Sequence, residues 1–195
     1  MLYDVAKAVM NGVMHLFFRV EVNGRENVPS KGAFILAVNH KSNFDPIAAA
    51  AACPRQLTFM AKEELFRFKP VGAFLKSLGA FPISRGRGDV GAVKAAFSIL
   101  KRGDAMLIFP QGHRMKNGER GKAHNGAVMI AQRMEAPVVP LCISGKYRFM
   151  SKITVTFGKP IEFTEYYGQK LDSQKLQELS DGLLDNILSY EVKGK

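Results

Sequence analysis

The sequence predicts a single α/β domain with a largely parallel central sheet, flanked by helices. Short apolar runs alternate with amphipathic segments along most of the 195 residues, a pattern typical of parallel strands joined by crossover helices. The run at 33–38 is wholly apolar, which indicates a strand that is buried on both faces. No stretch of about 18 residues is uninterruptedly apolar, so we expect no transmembrane helix.

The first predicted element is an amphipathic helix over residues 1–18. At about 100° per residue, Asp4, Lys7, Asn11 and His15 share one narrow polar sector, and apolar side chains cover most of the remainder. An apolar face this wide has to be buried in the domain, in a partner or in the surface of a bilayer. The residues alone leave these three environments open.

The remaining elements follow from apolar runs and from start and stop signals. Asp45 and Pro46 begin a helix over 46–52 with Asp45 as its N-cap, and Asp89 caps a helix that Gly103 ends. Strands are predicted at 20–22, 33–38, 56–61, 81–84, 105–109, 138–143 and 153–157. Further helices are predicted at 69–80, 89–102, 122–135 and 173–190.

Positive charge is concentrated in the middle of the chain. The net charge is +11, from 28 basic and 17 acidic residues, and residues 55–122 hold fourteen of the basic and five of the acidic ones. Such a region attracts a nucleic acid, a membrane surface or a phosphorylated substrate. Nucleic acid is disfavoured, because the chain has no Trp and its Phe residues lie mostly in apolar runs.

Cysteine and histidine usage excludes several other classes. The chain starts MLYD, without the basic segment of a signal peptide, so Cys53 and Cys142 are expected to be free thiols in a reducing compartment. The four histidines show no paired metal-ligand spacing, and a G-x-S-x-G nucleophile motif is absent. We therefore expect no metal site and no serine-hydrolase site.

The segment NHKSNFDP at 39–46 is the first candidate for catalysis. His40 follows a buried strand and Asp45 stands at the start of the next helix, which is the edge where open α/β sheets bind ligands. A tight loop can turn the Asp45 carboxylate onto one imidazole nitrogen, leaving the other free as a base. On these residues alone, a simple helix cap beside an ordinary loop histidine is an equally good interpretation.

The segment GAFPISRGRGDVG at 79–91 is the second candidate. It contains a formal G-x-G-x-x-G, but the acidic residue that a dinucleotide site needs after the following strand is missing. Arg85 and Arg87 instead favour an isolated phosphate near a helix N-terminus. The alternative is a surface turn with two solvated arginines.

A third candidate is the segment IFPQGHR at 108–114. It brings an amide, an imidazole and a guanidinium to the sheet edge that carries His40. The alternative is a turn closed by Pro110 and Gly112. The run VVPL at 138–141 would by itself indicate only packing.

Together these four segments, in this order, resemble the glycerolphosphate acyltransferase superfamily, and most closely its bacterial 1-acylglycerol-3-phosphate (lysophosphatidic acid) acyltransferase family. NHKSNFDP is similar to the N-H-x-x-x-x-D block and GAFPISR to the G-x-x-F-I-x-R block. FPQGHR is similar to F-P-E-G-T-R, and VVPL to the V-P block. The resemblance spans roughly residues 33–145, and no single block would carry it.

The resemblance implies acyl transfer from acyl-CoA or acyl-carrier protein to the free hydroxyl of 1-acylglycerol-3-phosphate, which makes phosphatidic acid. It implies that His40 is the general base and that Asp45 orients it. Arg85 and Arg114, joined by Lys62, would hold the acceptor phosphate. No metal or redox cofactor is implied.

The resemblance also implies a peripheral membrane protein, here expected at the cytoplasmic face of the cell membrane. Residues 1–20 would form a helix on the membrane surface, and residues 21–195 would form the acyltransferase domain. The partners would be a lysophospholipid acceptor, an acyl thioester donor and the membrane surface, with no nucleic acid.

One departure from the family pattern concerns the predicted substrate loop, Gln111, Gly112 and His113. The family carboxylate is replaced by an amide, and the family threonine by an imidazole. This leaves open an acyltransferase that acts on another lysolipid or on an amino-lipid. A basic module that binds a membrane surface without catalysis is the remaining alternative, although it has no need of His40 and Asp45.

Overall fold

The computed structural model describes residues 2–77, 79–83, 90–115 and 119–192. Within these ranges one seven-stranded sheet carries helices on both faces. The strands are β1 (Arg19–Asn23), β2 (Phe34–Val38), β3 (Leu57–Lys62), β4 (Ala80–Ile83), β5 (Ala105–Ile108), β6 (Val138–Ser144) and β7 (Lys152–Phe157). The helices are α1 (Leu2–Phe17), α2 (Asp45–Ala52), α3 (Lys69–Ser77), α4 (Val90–Lys101), α5 (Gly126–Met134) and α6 (Ser173–Ser189).

The sheet has the strand order β1-β7-β6-β2-β5-β3-β4. The five strands from β6 to β4 are parallel to one another, β7 is antiparallel to β6, and β1 is parallel to β7. The prediction of an α/β domain with a largely parallel sheet is thus confirmed. Because β2 lies between β5 and β6, the loops that follow these three strands leave the sheet at one edge.

Strand β2 is buried on both faces, as its uninterrupted apolar run predicts. Phe34, Leu36 and Val38 belong to the core on the side of α1 and α2. Ile35 and Ala37 belong to the core on the side of α4, α5 and α6. The strand that leads to His40 is therefore held by packing on both sides of the sheet.

Helix α1 divides its apolar residues between the core and the solvent. Met10 and Met14, together with Phe18 directly after the helix, are at most 9% exposed and pack in the core that contains α2. A second row, which we name the α1 stripe, is 47–68% exposed and consists of Val5, Val9, Val13 and Leu16. No helix in the described part of the chain has both the length and the apolar character that crossing a bilayer requires.

Two predicted helix boundaries were wrong. The helix predicted over 69–80 ends at Ser77, and Ala80 begins β4, because Gly79 adopts a φ of 85°, in the left-handed region that ends helices. The helix predicted over 122–135 begins only at Gly126. The segment just before it is not helical, and there the His124 backbone N–H donates to the Pro110 carbonyl at 2.8 Å instead of to a helical partner.

Candidate active site

The loop after β2 is pinned to β6 by the side chain of Asn39. This amide is 1% exposed. Its Nδ2 donates to the Ile143 carbonyl at 3.0 Å, and its Oδ1 accepts from the Ile143 backbone N–H at 2.7 Å. Asn39 thus extends the ladder between β2 and β6 by one residue and fixes where His40 leaves the sheet.

His40 and Asp45 form a hydrogen-bonded pair. The His40 Nδ1 lies 3.0 Å from the Asp45 Oδ2, with the histidine side chain 16% exposed and the aspartate 1% exposed. The same Oδ2 accepts the backbone N–H groups of Lys41 and Ser42, each at 2.6 Å. A carboxylate in this position favours the proton on Nδ1 and leaves Nε2 as the basic nitrogen.

The prediction that Asp45 caps α2 was wrong. The helix begins at Asp45 itself, and its N-cap residue, Phe44, makes no side-chain hydrogen bond to the first turn. The carboxylate turns back instead and closes the 40–45 loop, because the two N–H groups at 41 and 42 point toward it. This turn is what brings the carboxylate within reach of the imidazole.

Two aromatic rings outside the loop complete the surroundings of the pair. The Phe109 ring stacks on the His40 imidazole, with centroids 4.0 Å apart and planes inclined by 19°. The Tyr147 hydroxyl, between β6 and β7, donates to the Asp45 Oδ1 at 2.9 Å. Burial and the nearby Asp45 carboxylate raise the pKa of Tyr147 far above its ordinary value, so the phenol remains a donor. Sequence reasoning missed both residues' contacts.

Gln111 is buried beneath the 40–45 loop and is not among the residues that line the cavity next to His40. It is 2% exposed, and both ends of its amide are bonded. The Oε1 accepts the His40 backbone N–H at 2.8 Å, and the Nε2 donates to the Arg120 carbonyl at 2.7 Å. Gln111 was predicted as part of the substrate loop. In the structure its side chain does not face the cavity, and its amide joins two loops instead.

Beyond Gln111 the loop turns outward. Gly112 has a φ of 69°, and a Cβ atom there would lie 2.8 Å from the His124 ring. His113 and Arg114 are exposed. Both line the same cavity as His40, as the order of the motifs predicts.

That cavity encloses about 800 Å³ next to His40. One part of its wall carries basic side chains, namely Lys41, His113 and Arg114. The other part is apolar and comes from α2, β3 and the region of α3, with Ile47, Ala50, Phe59, Leu65, Phe74 and Leu75. The lining of this one cavity therefore combines basic and apolar side chains next to the His40 imidazole.

The other predicted site residues are only partly described. Lys62 is the last residue of β3, where its backbone is paired with Ile83 of β4, and its side chain lies outside the described part. Arg85 and Arg87 lie outside the described residues, as does Asp89. Within the described ranges no group of three or more His, Cys, Asp or Glu side chains is placed to hold a metal ion.

A family model described as Acyltransferase matches residues 19–144. The chain belongs to the acyltransferase family. The match runs from β1 to the end of β6 and includes His40, Asp45 and the 111–114 loop. In this acyltransferase α1, β7, α6 and Tyr147 lie outside the matched segment.

Two curated relatives and one solved structure extend the comparison. A Bacillus subtilis protein named 1-acyl-sn-glycerol-3-phosphate acyltransferase is 31% identical over 98% of each chain. A protein of the same name from Streptococcus pneumoniae is 30% identical over 76% of this acyltransferase and 56% of its own length. The crystal structure of the 1-acyl-sn-glycerophosphate (LPA) acyltransferase PlsC from Thermotoga maritima aligns with a TM-score of 0.71 and 22% identity. The alignment covers 94% of this chain and 77% of the Thermotoga maritima chain, and the two proteins share the same fold.

Proposed function

We propose that this acyltransferase moves a fatty acyl group from an acyl-CoA or acyl-carrier-protein thioester to the free hydroxyl of 1-acylglycerol-3-phosphate. The product is phosphatidic acid. The observation that carries the proposal is the His40–Asp45 pair at 3.0 Å, with His40 lining a cavity that also carries basic and apolar side chains. The curated relatives, named for this reaction, support it.

The chemistry needs one base and one orienting group. The His40 Nε2 accepts the acceptor's hydroxyl proton as the hydroxyl oxygen attacks the thioester carbonyl carbon. The carbon–sulfur bond then breaks, and the leaving thiolate takes the proton from the imidazolium, so that the enzyme is restored without a covalent intermediate. General base catalysis of this kind supplies roughly 10²–10⁴-fold, and Asp45 stabilises the imidazolium while it exists.

The acceptor is oriented by its phosphate. We assign the phosphate to the basic wall of the cavity with Arg114, and we expect Arg85 and Lys62 to complete this site. Binding the phosphate fixes the glycerol hydroxyl near His40, and orientation of this sort contributes much of an enzyme's rate enhancement. The apolar wall suits the acyl chain, which is the lipophilic part of either substrate. No metal or redox cofactor takes part in the proposal.

The α1 stripe is assigned to the membrane surface. At the C-terminal end of α1 the Phe17 ring packs edge to face on the Phe149 ring, with the ring centroids 6.2 Å apart, and both rings are exposed. Arg19, Lys146 and Arg148 are exposed near these rings in sequence. Apolar side chains that enter the interface beside basic groups favour an anionic lipid surface. We place the protein at the cytoplasmic face of the membrane as a peripheral protein.

One observation favours a second acceptor. His113 lines the cavity where the family pattern has a threonine, so an imidazole faces the head group. Acylation of a different lysolipid, or of an amino-lipid, is therefore the second candidate. Gln111 does not add to this case, because its amide is occupied by protein groups.

The test is thiol release and product analysis in detergent micelles. Acyl-CoAs and acyl-carrier proteins of several chain lengths are offered with lysophosphatidic acid, a zwitterionic lysolipid and an amino-lipid. We expect turnover with lysophosphatidic acid, loss of nearly all of it in His40→Ala, and unchanged turnover in His15→Ala, an exposed histidine on α1. Near wild-type turnover in His40→Ala, or no acyl product with any acceptor, would contradict the proposal.

A further inference from the structure

The carboxylate of Asp45 receives hydrogen bonds on both oxygens, from two distant parts of the chain. The Oδ2 is bonded within the 40–45 loop. The Oδ1 accepts only from the Tyr147 hydroxyl among the hydrogen bonds of the described residues, at 2.9 Å and across 102 positions of sequence. Without that hydroxyl, one oxygen of a carboxylate that is 1% exposed would be left without a donor.

The Tyr147 ring is itself held by aromatic packing. Its centroid lies 5.4 Å from that of Phe18, edge to face, and 5.5 Å from that of Phe44. Phe18 directly follows α1 and is buried in the core, and Phe44 directly precedes α2. A phenol packed on two sides loses little freedom when it binds the carboxylate, so its hydroxyl has a defined position.

We propose that Tyr147 is a positioning residue for acyl transfer, which fixes the plane and the charge distribution of the Asp45 carboxylate and through it the His40 imidazole. The proposal rests on the proposed function, since it assumes that His40 acts as the base. It adds a residue that lies outside the segment matched by the family model. Tyr147 is not among the residues that line the cavity, so its effect passes through Asp45.

The hydroxyl has two effects on the base. It prevents rotation of the carboxylate about its Cβ–Cγ bond, which keeps Oδ2 aligned with Nδ1. It also draws negative charge toward Oδ1, which limits how strongly Asp45 favours the protonated imidazole. Removing the hydroxyl should therefore lower kcat and, in addition, move the acid limb of the pH–rate profile to higher pH.

Other charged groups near His40 stay in place in such an experiment. Lys41 lies on the same loop and is paired with Glu191 of the C-terminal segment. His113 and Arg114 face the cavity from the loop after β5, while the side chains that line it from the α3 region are apolar. These groups set the baseline profile, and a change confined to Tyr147 leaves each of them intact.

The experiment compares Tyr147→Phe with Tyr190→Phe in the full chain. Tyr190 is half-buried against the core on the other side of the sheet, with its ring beside Gly158, so the control removes a phenol hydroxyl that makes no hydrogen bond to Asp45 among the described residues. For Tyr147→Phe we expect kcat to fall about tenfold, KM for both substrates to change less than twofold, and the acid limb of kcat/KM to move to higher pH. For Tyr190→Phe we expect wild-type kcat and a wild-type profile.

A structural role alone predicts a different result. Tyr147→Phe would then unfold at a lower temperature while its folded fraction kept the wild-type kcat and pH profile, and that outcome overturns the inference. His40→Ala is measured beside it: if His40→Ala is inactive and Tyr147→Phe is normal, only the role of Tyr147 fails, whereas an active His40→Ala overturns the proposed function.

A second measurement covers the case in which Tyr147→Phe does not fold. Site-specific replacement of Tyr147 by 3-fluorotyrosine keeps the ring and the hydroxyl but makes the hydroxyl a stronger donor. The acid limb should then move to lower pH, opposite to the shift in Tyr147→Phe. An acid limb identical to that of the wild type would overturn the inference.

Discussion

The side chain of Gln111 accepts a hydrogen bond from the backbone N–H of His40 over 2.8 Å. The other end of the same amide donates to the Arg120 carbonyl, and the Arg120 guanidinium is paired with Asp181 and Asp185 of α6. One buried amide therefore joins the 40–45 loop to the segment around Arg120. That segment is held by α6, which packs on the face of the sheet opposite to α1 and α2. An amide suits this place because it both accepts and donates, whereas a carboxylate only accepts.

Gln111→Glu should reduce activity in a pH-dependent way. The ionised side chain would face the Arg120 carbonyl without a proton to donate, in a site that is 2% exposed. The protonated side chain can still accept from His40 and donate to Arg120. Since folding favours the protonated form, stability and kcat should be nearest to wild type at low pH and should fall as the pH rises and the carboxyl ionises. The measurement is kcat and unfolding temperature from pH 5 to pH 8.

Gln132→Glu is the matched control for that variant. Gln132 is 4% exposed, and its Nε2 donates to the carbonyls of Tyr166 and Gln169, away from the active site. It should lose stability with rising pH in the same way while the folded enzyme keeps its kcat. Equal losses of kcat in both variants would show that the hydrogen bond from the His40 backbone N–H to Gln111 does not affect catalysis.

Arg114→Ala should weaken use of the phosphorylated acceptor. Losing a hydrogen bond between charged groups costs about 1.5–3 kcal/mol, so kcat/KM for lysophosphatidic acid should fall roughly ten- to hundredfold with the donor KM nearly unchanged. With monoacylglycerol, which has no phosphate, the same variant should match wild type. Arg133→Ala, an exposed arginine on α5, is the control. A rise in the donor KM as large as that in the acceptor KM would argue against a phosphate site.

Val9→Asp should weaken binding to vesicles without unfolding the protein. Val9 is 57% exposed in the α1 stripe, so the folded state loses little when it changes. Burying a valine in an apolar environment contributes at least about 1.5 kcal/mol, and affinity for anionic vesicles should fall about tenfold or more. Asn11→Asp adds the same charge on the polar sector and should bind more nearly like wild type. Identical vesicle binding by wild type and Val9→Asp would remove the membrane assignment of α1.

Gly112→Ala should disturb the cavity wall more than the fold. A residue with a side chain is strained at a φ of 69° by about 1 kcal/mol, and the new Cβ would press on the His124 ring. Relief of this strain displaces His113 and Arg114, so the acceptor KM should rise several-fold while the unfolding temperature drops only slightly. Gly182→Ala, on the helix α6 with open space around it, should leave both quantities unchanged or raise the unfolding temperature.

The sequence predicted the local part of the site well. His40 and Asp45 are five residues apart, between the end of β2 and the start of α2. Because the loop that connects them is short, the two side chains lie close together. The sheet edge shared by His40 and Arg114 followed from the buried strands before them. The end of α3 was equally local, since Gly79 takes a left-handed conformation, yet the prediction placed the helix end three residues too late.

The long-range part of the site could not be predicted. Tyr147 reaches Asp45 from the β6–β7 loop, and Asn39 bonds Ile143 across 104 positions. Such contacts depend on strand order, which places β6 beside β2, and no spacing in the sequence encodes it. The division of α1 into a core side and an exposed stripe also required the packing partners in α2.

Strand β2, which leads into the catalytic loop, is the fourth of seven strands. Backbone amides in a central strand buried on both faces exchange with solvent only when the whole domain opens, while edge strands such as β1 and β4 open in smaller fluctuations. Heating should therefore abolish turnover in the same cooperative transition that melts the sheet. Deuterium uptake along 34–38 should be the slowest in the chain, and the midpoint of thermal inactivation should coincide with that of global unfolding.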